Sequence, residues 1–279
     1  MTSRAYRPGD FARMLGLVAD LWPDGRHGIG YAFMAQRLPY EDEWDARLWF
    51  DGDDLVAFAW ATRWRERRGL SYEYRDVGLF PELLAWAQPE TTTAKSGDAD
   101  AGAVLREHGF AHDEDANSNR WNARALDRVD EPRVPDGYRL TTMADHVDFS
   151  SRAAAHRSAF TRPGSTSRFT DAVYEAVRRE APWRADLDCV AVGPDGEVAA
   201  FALAWLDDRH RVGELEPVGV RLEDQRRGLG RAVSLFALQR LRDSGADTAL
   251  VGSSAPVPQR LYESIGFREL WRDDVFARA

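Results

Sequence analysis

The chain has 279 residues, of which 44% are hydrophobic and 30% charged, and a formal net charge of −9. That composition supports a packed core and excludes wholesale disorder, and the length suits one large domain or two ordinary ones. The acidic balance argues against a nucleic-acid partner, and no window approaches the ~18 consecutive apolar residues of a membrane span.

Cys189 is the only cysteine, so no internal disulfide can form, and its place in the apolar run Leu187–Val192 reads as a buried thiol. His27, His108, His112, His146, His156 and His210 do not pair at metal-ligand spacing. The N-terminus has no apolar stretch that could act as a signal, so the expected location is cytoplasmic.

In chain order, Phe11–Trp22 has helical spacing, and the glycine-rich Pro23–Gly30 reads as a plain loop. Arg47–Phe50 and Leu55–Trp64 form a hairpin across Asp51-Gly52-Asp53. Leu70–Arg75 is a strand, Pro81–Ala87 a short helix, Thr91–Ala94 a strand, and Ala103–His108 a helix stopped by Gly109. Aromatic residues crowd this half, among them Trp22, Tyr31, Phe33, Trp49, Trp64 and Tyr72, and some of them are expected in its core. The proline- and charge-rich stretch Asp127–Gly137 has no period and divides the chain.

Beyond it, Tyr138–Thr142 is a strand, and Ala144–Phe160 and Thr170–Arg179 are helices. Leu187–Val192 and Val198–Leu206 form a hairpin over Pro194-Asp195-Gly196. Glu214–Val220 is a strand, and Gly228–Arg242 a long amphipathic helix. Thr248–Val251 is a strand and Pro258–Ile265 a short helix, with Phe267–Arg272 and Val275–Ala277 as closing strands. The two halves share one element order, and Gly109-Phe110 aligns with Gly266-Phe267. A duplicated α+β protein follows, with domains at 1–128 and 137–279 and a linker at 129–136. Each domain would be a mixed, mostly antiparallel sheet flanked by helices.

The chemistry concentrates at Gln225-Arg226-Arg227-Gly228-Leu229-Gly230. A strand ends, a glycine turn follows, and a helix starts at once. Its amides and the unpaired donors of the helix N-terminus make an anion site, with Arg226, Arg227 and Arg231 adding positive charge. The ligand should carry phosphates, most simply a pyrophosphate. The third glycine of a dinucleotide fingerprint and the Gly-Lys-(Ser/Thr) of a P-loop are both missing.

Gln225-x-x-Gly228-x-Gly230, followed by Leu261-Tyr262-Glu263-Ser264-Ile265-Gly266-Phe267, resembles the two landmark motifs of the GNAT superfamily of acyl-CoA-dependent acyltransferases. The resemblance implies an N-acetyltransferase that uses acetyl-CoA as cosubstrate on a small-molecule amine. It implies that Val218, Gly219 and Val220 meet the pantetheine arm, and that the amides of Arg226, Arg227, Gly228, Leu229 and Gly230 hold the pyrophosphate. Tyr262 takes the place of the family's general acid. Glu214 and Glu216 are candidate bases, expected on one face of the strand with Val218 and Val220. Many members carry an asparagine where this chain has Ala255, so that contact would pass to Ser253 or Ser254. The first half has no such turn, and Leu105 stands where Tyr262 stands, so it reads as a copy without an acetyl-CoA site. The tandem layout resembles mycothiol synthases and acetyltransferases of antibiotic metabolism. A protein that binds acyl-CoA without transferring it is the non-enzymatic alternative. The oligomeric state is open between monomer and homodimer.

Overall fold

The computed structural model describes residues 1–30, 37–64, 67–161, 164–179 and 182–278. Tyr31, Phe33 and the Trp64 side chain, counted above among the aromatic residues, lie outside the described part.

The elements in chain order are β1 (Thr2–Ala5), α1 (Phe11–Leu21), β2 (Asp45–Asp51), β3 (Asp54–Trp64), β4 (Arg67–Tyr74), α2 (Phe80–Ala87), β5 (Thr91–Lys95), α3 (Ala99–Glu107), β6 (Phe110–His112) and β7 (Asn119–Ala125). They continue with β8 (Arg139–Thr142), α4 (Phe149–Phe160), α5 (Asp171–Arg179), β9 (Asp188–Val192), β10 (Val198–Asp207), β11 (Val212–Val220), α6 (Leu229–Asp243), β12 (Thr248–Ser253), α7 (Pro256–Ser264) and β13 (Arg268–Arg278). The described residues pack as two units: those within 1–30, 40–121 and 269–278 form the first, and those within 37–39 and 122–268 the second. The expected break at 129–136 follows the sequence repeat, whereas packing divides the chain at other points.

In the first unit the strand order is β1-β2-β3-β4-β5-β13, with β6 also on β13. The β4–β5 pair is parallel and its neighbours antiparallel. Gly52 turns the β2–β3 hairpin at φ +59°, a backbone state that costs glycine little. Trp49, Tyr72, Phe80, Leu83, Leu105 and Phe276 fill the core.

In the second unit the order β12-β11-β10-β9-β8 has one parallel pair, β11–β12. Every residue of β10 is buried, as expected of a central strand covered on both faces. Alanines 200, 202 and 204 lie under α6, whose Leu229, Val233, Leu238 and Leu241 are buried in the same cluster. Each such side chain contributes about 1.5–3 kcal/mol when fully removed from water. Gly213 lets α6 approach, because a Cβ there would stand 2.5 Å from Leu241 Cδ1. Met143, Ala155, Val190 and Phe201 form a separate cluster, with Phe149 and Ala159 of α4 packed against it. Cys189 is buried, and burial pushes its thiol well above the usual range.

Most element ends differ from the sequence reading by a few residues, and the larger differences have local causes. Helix α4 begins at Phe149, where Asp148 caps the Ser151 amide, so residues 144–148 form a turn and its approach instead of helix. The closing strands run as one, β13, across the expected break at Asp273-Asp274. Asp273 stays within the strand because Asn119 and Trp121 donate to its carboxylate at 3.2 and 3.1 Å. The sequence reading holds no strand at β1, β6 or β7; the apolar content of β7 is too low to show a period of two.

Candidate cofactor and transfer site

Strands β10 and β11 pair at Ala202 with Val218 and resume at Ala204 with Leu215, so Glu216 and Pro217 together oppose the single residue Leu203. This β-bulge suits proline, which has no N–H to leave unpaired. Trp205 Nε1 donates to the Glu216 carbonyl at 2.6 Å and holds the bulge in place.

The bulge corrects the expectation that Glu214, Glu216, Val218 and Val220 share a face. Gly213 and Leu215 face α6, and Val218 and Val220 pack on the same core cluster. Glu214, between Gly213 and Leu215, therefore points to the opposite face, where it is fully buried. One extra residue reverses the alternation, and nothing in the sequence periodicity marked it.

The parallel ladder of β11 and β12 covers only Val212 to Glu214 against Thr248 to Leu250. Both strands run on beyond it, β11 to Val220 and β12 to Ser253, without pairing to each other. Among the described residues, the backbone of residues 218–220 is thereby unpaired on its β12 side.

At the end of β11 a 3-10 turn at Leu222–Asp224 leads into the glycine segment. Asp224 is buried and accepts from Tyr138 Oη and Arg221 Nε, each at 2.6 Å, which pins the start of the turn. Gln225 Nε2 donates back to the Val220 carbonyl at 3.3 Å. Arg226 has φ +61° and Gly228 φ +83°, and Gly228 is the N-cap of α6 with no side chain to accept from its first amides. Those amides have no partner within the helix, so an anion bound there would satisfy them and the helix dipole together. A Cβ on Gly230 would come within 3.4 Å of Val220 Cγ2 and of Leu261 Cδ2.

The three arginines are used differently. Arg227 donates to Tyr138 Oη at 3.0 Å, and Arg231 donates to the Ser264 carbonyl at 2.8 Å. Arg226 alone of the three has no hydrogen bond or ion pair among the described residues.

Tyr262 lies on α7, buried, with its ring edge-on to Phe267 at 5.9 Å. Burial, and after it the charge of Glu216, raise its hydroxyl above the ordinary tyrosine range. The Ser253 hydroxyl accepts from the Ala255 amide at 3.2 Å, while Ser254 is exposed. Sequence reasoning missed Arg37, which lies in the second unit and feels the charge of Glu216. Nothing in its local sequence sets it apart.

The corresponding slot of the first unit is filled by its own chain. Strands β4 and β5 pair at Gly69–Thr91 and Leu70–Thr92 and then part. Beyond that point the Thr93 carbonyl accepts from Tyr72 Oη at 3.0 Å and from Arg26 Nη2 at 2.6 Å, and the Arg26 guanidinium lies 4.2 Å over the Tyr72 ring. Glu73 Oε1 accepts from the amides of Arg26 and His27 and meets His27 Nδ1 at 2.8 Å. The plain loop expected at residues 23–30 thus buries Arg26 and His27 along with Ile29. Beside it lies a cavity of about 340 Å³ in which Asp20, Asp24, Glu73 and Asp98 outnumber Arg26 and Arg75, and Arg75 is already engaged by Asp20, a poor setting for phosphates.

The two units carry the architecture of tandem GNAT proteins. A tandem GNAT protein from the clavulanic acid biosynthesis pathway superposes with a TM-score of 0.66 at 16% identity, over 99% of this chain and 97% of that one. Residues 154–267 match the family model described as the acetyltransferase (GNAT) family. A mycothiol acetyltransferase of Nocardiopsis dassonvillei is 34% identical over 167 residues, 56% of this chain and 50% of that protein. Another, of Thermobispora bispora, is 28% identical over 262 residues, 83% of this chain and 82% of that protein. The chain spans about half the length of the first curated relatives it matches.

Proposed function

We propose that the protein transfers an acetyl group from acetyl-CoA to the amine of a small molecule, in the second unit. The observation that carries this reading is the glycine-capped N-terminus of α6, at the end of the strand that parts from β12, with the buried Tyr262 in the same core cluster as Leu229. The donors there fit a pyrophosphate: an unfilled helix cap, a cap residue without a side chain, and the uncommitted Arg226. Gln225, Arg226, Arg227, Gly228, Leu229 and Gly230 would hold it, with Arg231 adding charge. The backbone of Val218, Gly219 and Val220 would meet the pantetheine arm, with Ser253 and Ser254 on the far wall.

Acetyl-CoA supplies an activated acyl carbon. The amine nitrogen bonds to that carbon, the carbon–sulfur bond breaks, and the sulfur takes a proton from the Tyr262 hydroxyl. The amine must shed a proton to attack. Glu216, in the bulge, is the base this reading assigns, directly or through water, because Glu214 is fully buried. The first unit takes no acetyl-CoA, since Arg26 and Tyr72 occupy its slot. The relatives favour an acceptor of the mycothiol kind, an amine on a thiol-bearing compound. The reading places the protein in the cytoplasm.

Thermal unfolding with acetyl-CoA, followed by product analysis with cysteamine, L-cysteinamide and glucosamine, tests it. Binding raises the melting temperature by mass action. CoA and acetylated product are read by chromatography, since thiol reagents also titrate thiol acceptors. Stabilisation without product on any amine would leave a binding protein, and no stabilisation would remove the cosubstrate.

A further inference from the structure

One carboxylate in the second unit gathers donors from three segments. Asp188 on β9 is fully buried. Its Oδ1 accepts from Arg152 Nε of α4 at 2.9 Å. Its Oδ2 accepts from Tyr174 Oη of α5 at 2.6 Å and from Trp183 Nε1, in the loop after α5, at 3.3 Å. A buried ion pair is a weak source of stability, because desolvation offsets much of the attraction. This one also leaves Arg152 Nη1 buried with no partner. What such a cluster supplies is geometry: both helices have one position in which all three donors are satisfied.

That position bears on the transfer site. Asp188 pairs with Leu203, the residue that faces the bulge at Glu216–Pro217, so the carboxylate stands level with the bulge two strands away, roughly 10 Å at the usual strand spacing. The Arg152 guanidinium lies 3.8 Å over the Phe201 ring. Phe201 in turn lies so close under Gly219 that a Cβ there would stand 2.4 Å from Cζ, with Ala159 of α4 at 2.9 Å. The chain of contacts runs from Asp188 through Arg152 and Phe201 to the strand beside the open slot. The glycine turn is anchored elsewhere, by Asp224 with Tyr138 and Arg221.

We propose that Asp188 is a positioning residue: it sets the spacing of the α4–α5 wall from β11, and with it the fit of the amine acceptor, without touching the acetyl-CoA turn. The link to the acceptor rests on the transfer reading above. Two measurements on Tyr174→Phe, which removes one donor and keeps the ring, test the proposal, with Leu83→Val in the first unit as a control for general destabilisation.

Hydrogen exchange needs no acceptor. Amides of Phe149–Phe160 and Asp171–Arg179 should exchange at least tenfold faster in Tyr174→Phe, with Leu229–Asp243 unchanged. Equal exchange in the helices, or loosening throughout the unit, overturns the latch. With acetyl-CoA and L-cysteinamide, the KM for the amine should rise about fivefold or more, while kcat stays within twofold and acetyl-CoA affinity is unchanged. An unaltered amine KM, or a parallel loss of acetyl-CoA affinity, overturns its role at the acceptor. If the wild-type protein turns over no amine, the transfer reading fails and with it the acceptor role, while hydrogen exchange still decides the latch.

Discussion

Glu73 and Glu216 stand at equivalent points of two parallel ladders. Gly69 pairs with Thr91 and Val212 with Thr248, and each glutamate lies equally far along its strand from there. Glu73 is closed off by the Arg26 and His27 amides and the His27 ring. Glu216 sits in a bulge, where its charge reaches Tyr262. The same strand position serves a sealed slot in one unit and the proposed transfer site in the other.

If Arg26 seals that slot, Arg26→Ala should cost stability. A hydrogen bond from a charged donor contributes about 1.5–3 kcal/mol and a desolvated cation–π contact about 2 kcal/mol. Relief of the unpaired Nη1 offsets part of this, so a loss of about 2 kcal/mol is expected. Urea unfolding measures it, and acetyl-CoA affinity should not change. An unaltered midpoint would mean that Arg26 fills space without holding the strands.

Arg226 and Arg231 should separate on substitution. Arg226→Ala is expected to weaken acetyl-CoA binding about tenfold at low salt, roughly 1.4 kcal/mol, and less as salt screens the contact. Arg231→Ala should weaken it less, because its guanidinium is engaged at Ser264. Calorimetric titration of both variants at two salt concentrations checks the order, and equal losses would contradict it.

Tyr262→Phe should lower kcat by about 10²–10⁴-fold, the usual share of a general acid, with acetyl-CoA affinity within twofold. Burial raises the hydroxyl above the ordinary value near 10, so the proton-donating form persists to higher pH. The wild-type kcat should therefore show no descending limb up to about pH 10. A limb near the ordinary tyrosine value would assign the proton to another group.

His156 gives the fold an acid sensitivity. Burial, with Arg152 and Arg157 nearby, pushes the ring down to about 3 from an ordinary 6.5. A depressed folded value means that its contribution is complete above pH 6.5 and lost as pH falls toward 3. The lowered carboxylates, such as Asp10 and Asp171, act only below about pH 4. Melting temperatures between pH 7 and 4.5 should fall for the wild type and stay flatter for His156→Phe. Parallel curves would show that the ring titrates normally.

The glycine turn was legible in the sequence because its chemistry is local: a strand end, two glycines and a helix start within a few residues. The tandem fold was legible for a similar reason, since hairpin turns and amphipathic spacing recur in the same order in both halves. The bulge was not, because Glu216 and Pro217 look like two ordinary strand residues until their partner strand is known. Arg26 and His27 were read as a loop because their burial depends on Glu73 and Thr93, far along the chain. Asp188 looked like one polar residue in an apolar strand, and its three donors come from separate segments. Local chemistry showed in the sequence; partnerships across the fold did not.

The most direct measurement is calorimetric titration of acetyl-CoA into the wild-type protein and into Gly228→Val. A β-branched residue is strained at φ +83°, yet a Cβ at Gly228 meets nothing within 4 Å, so the damage should stay local to the turn. The prediction is one acetyl-CoA per chain for the wild type and no measurable binding for the variant. Two sites per chain, or undiminished binding by Gly228→Val, would contradict it.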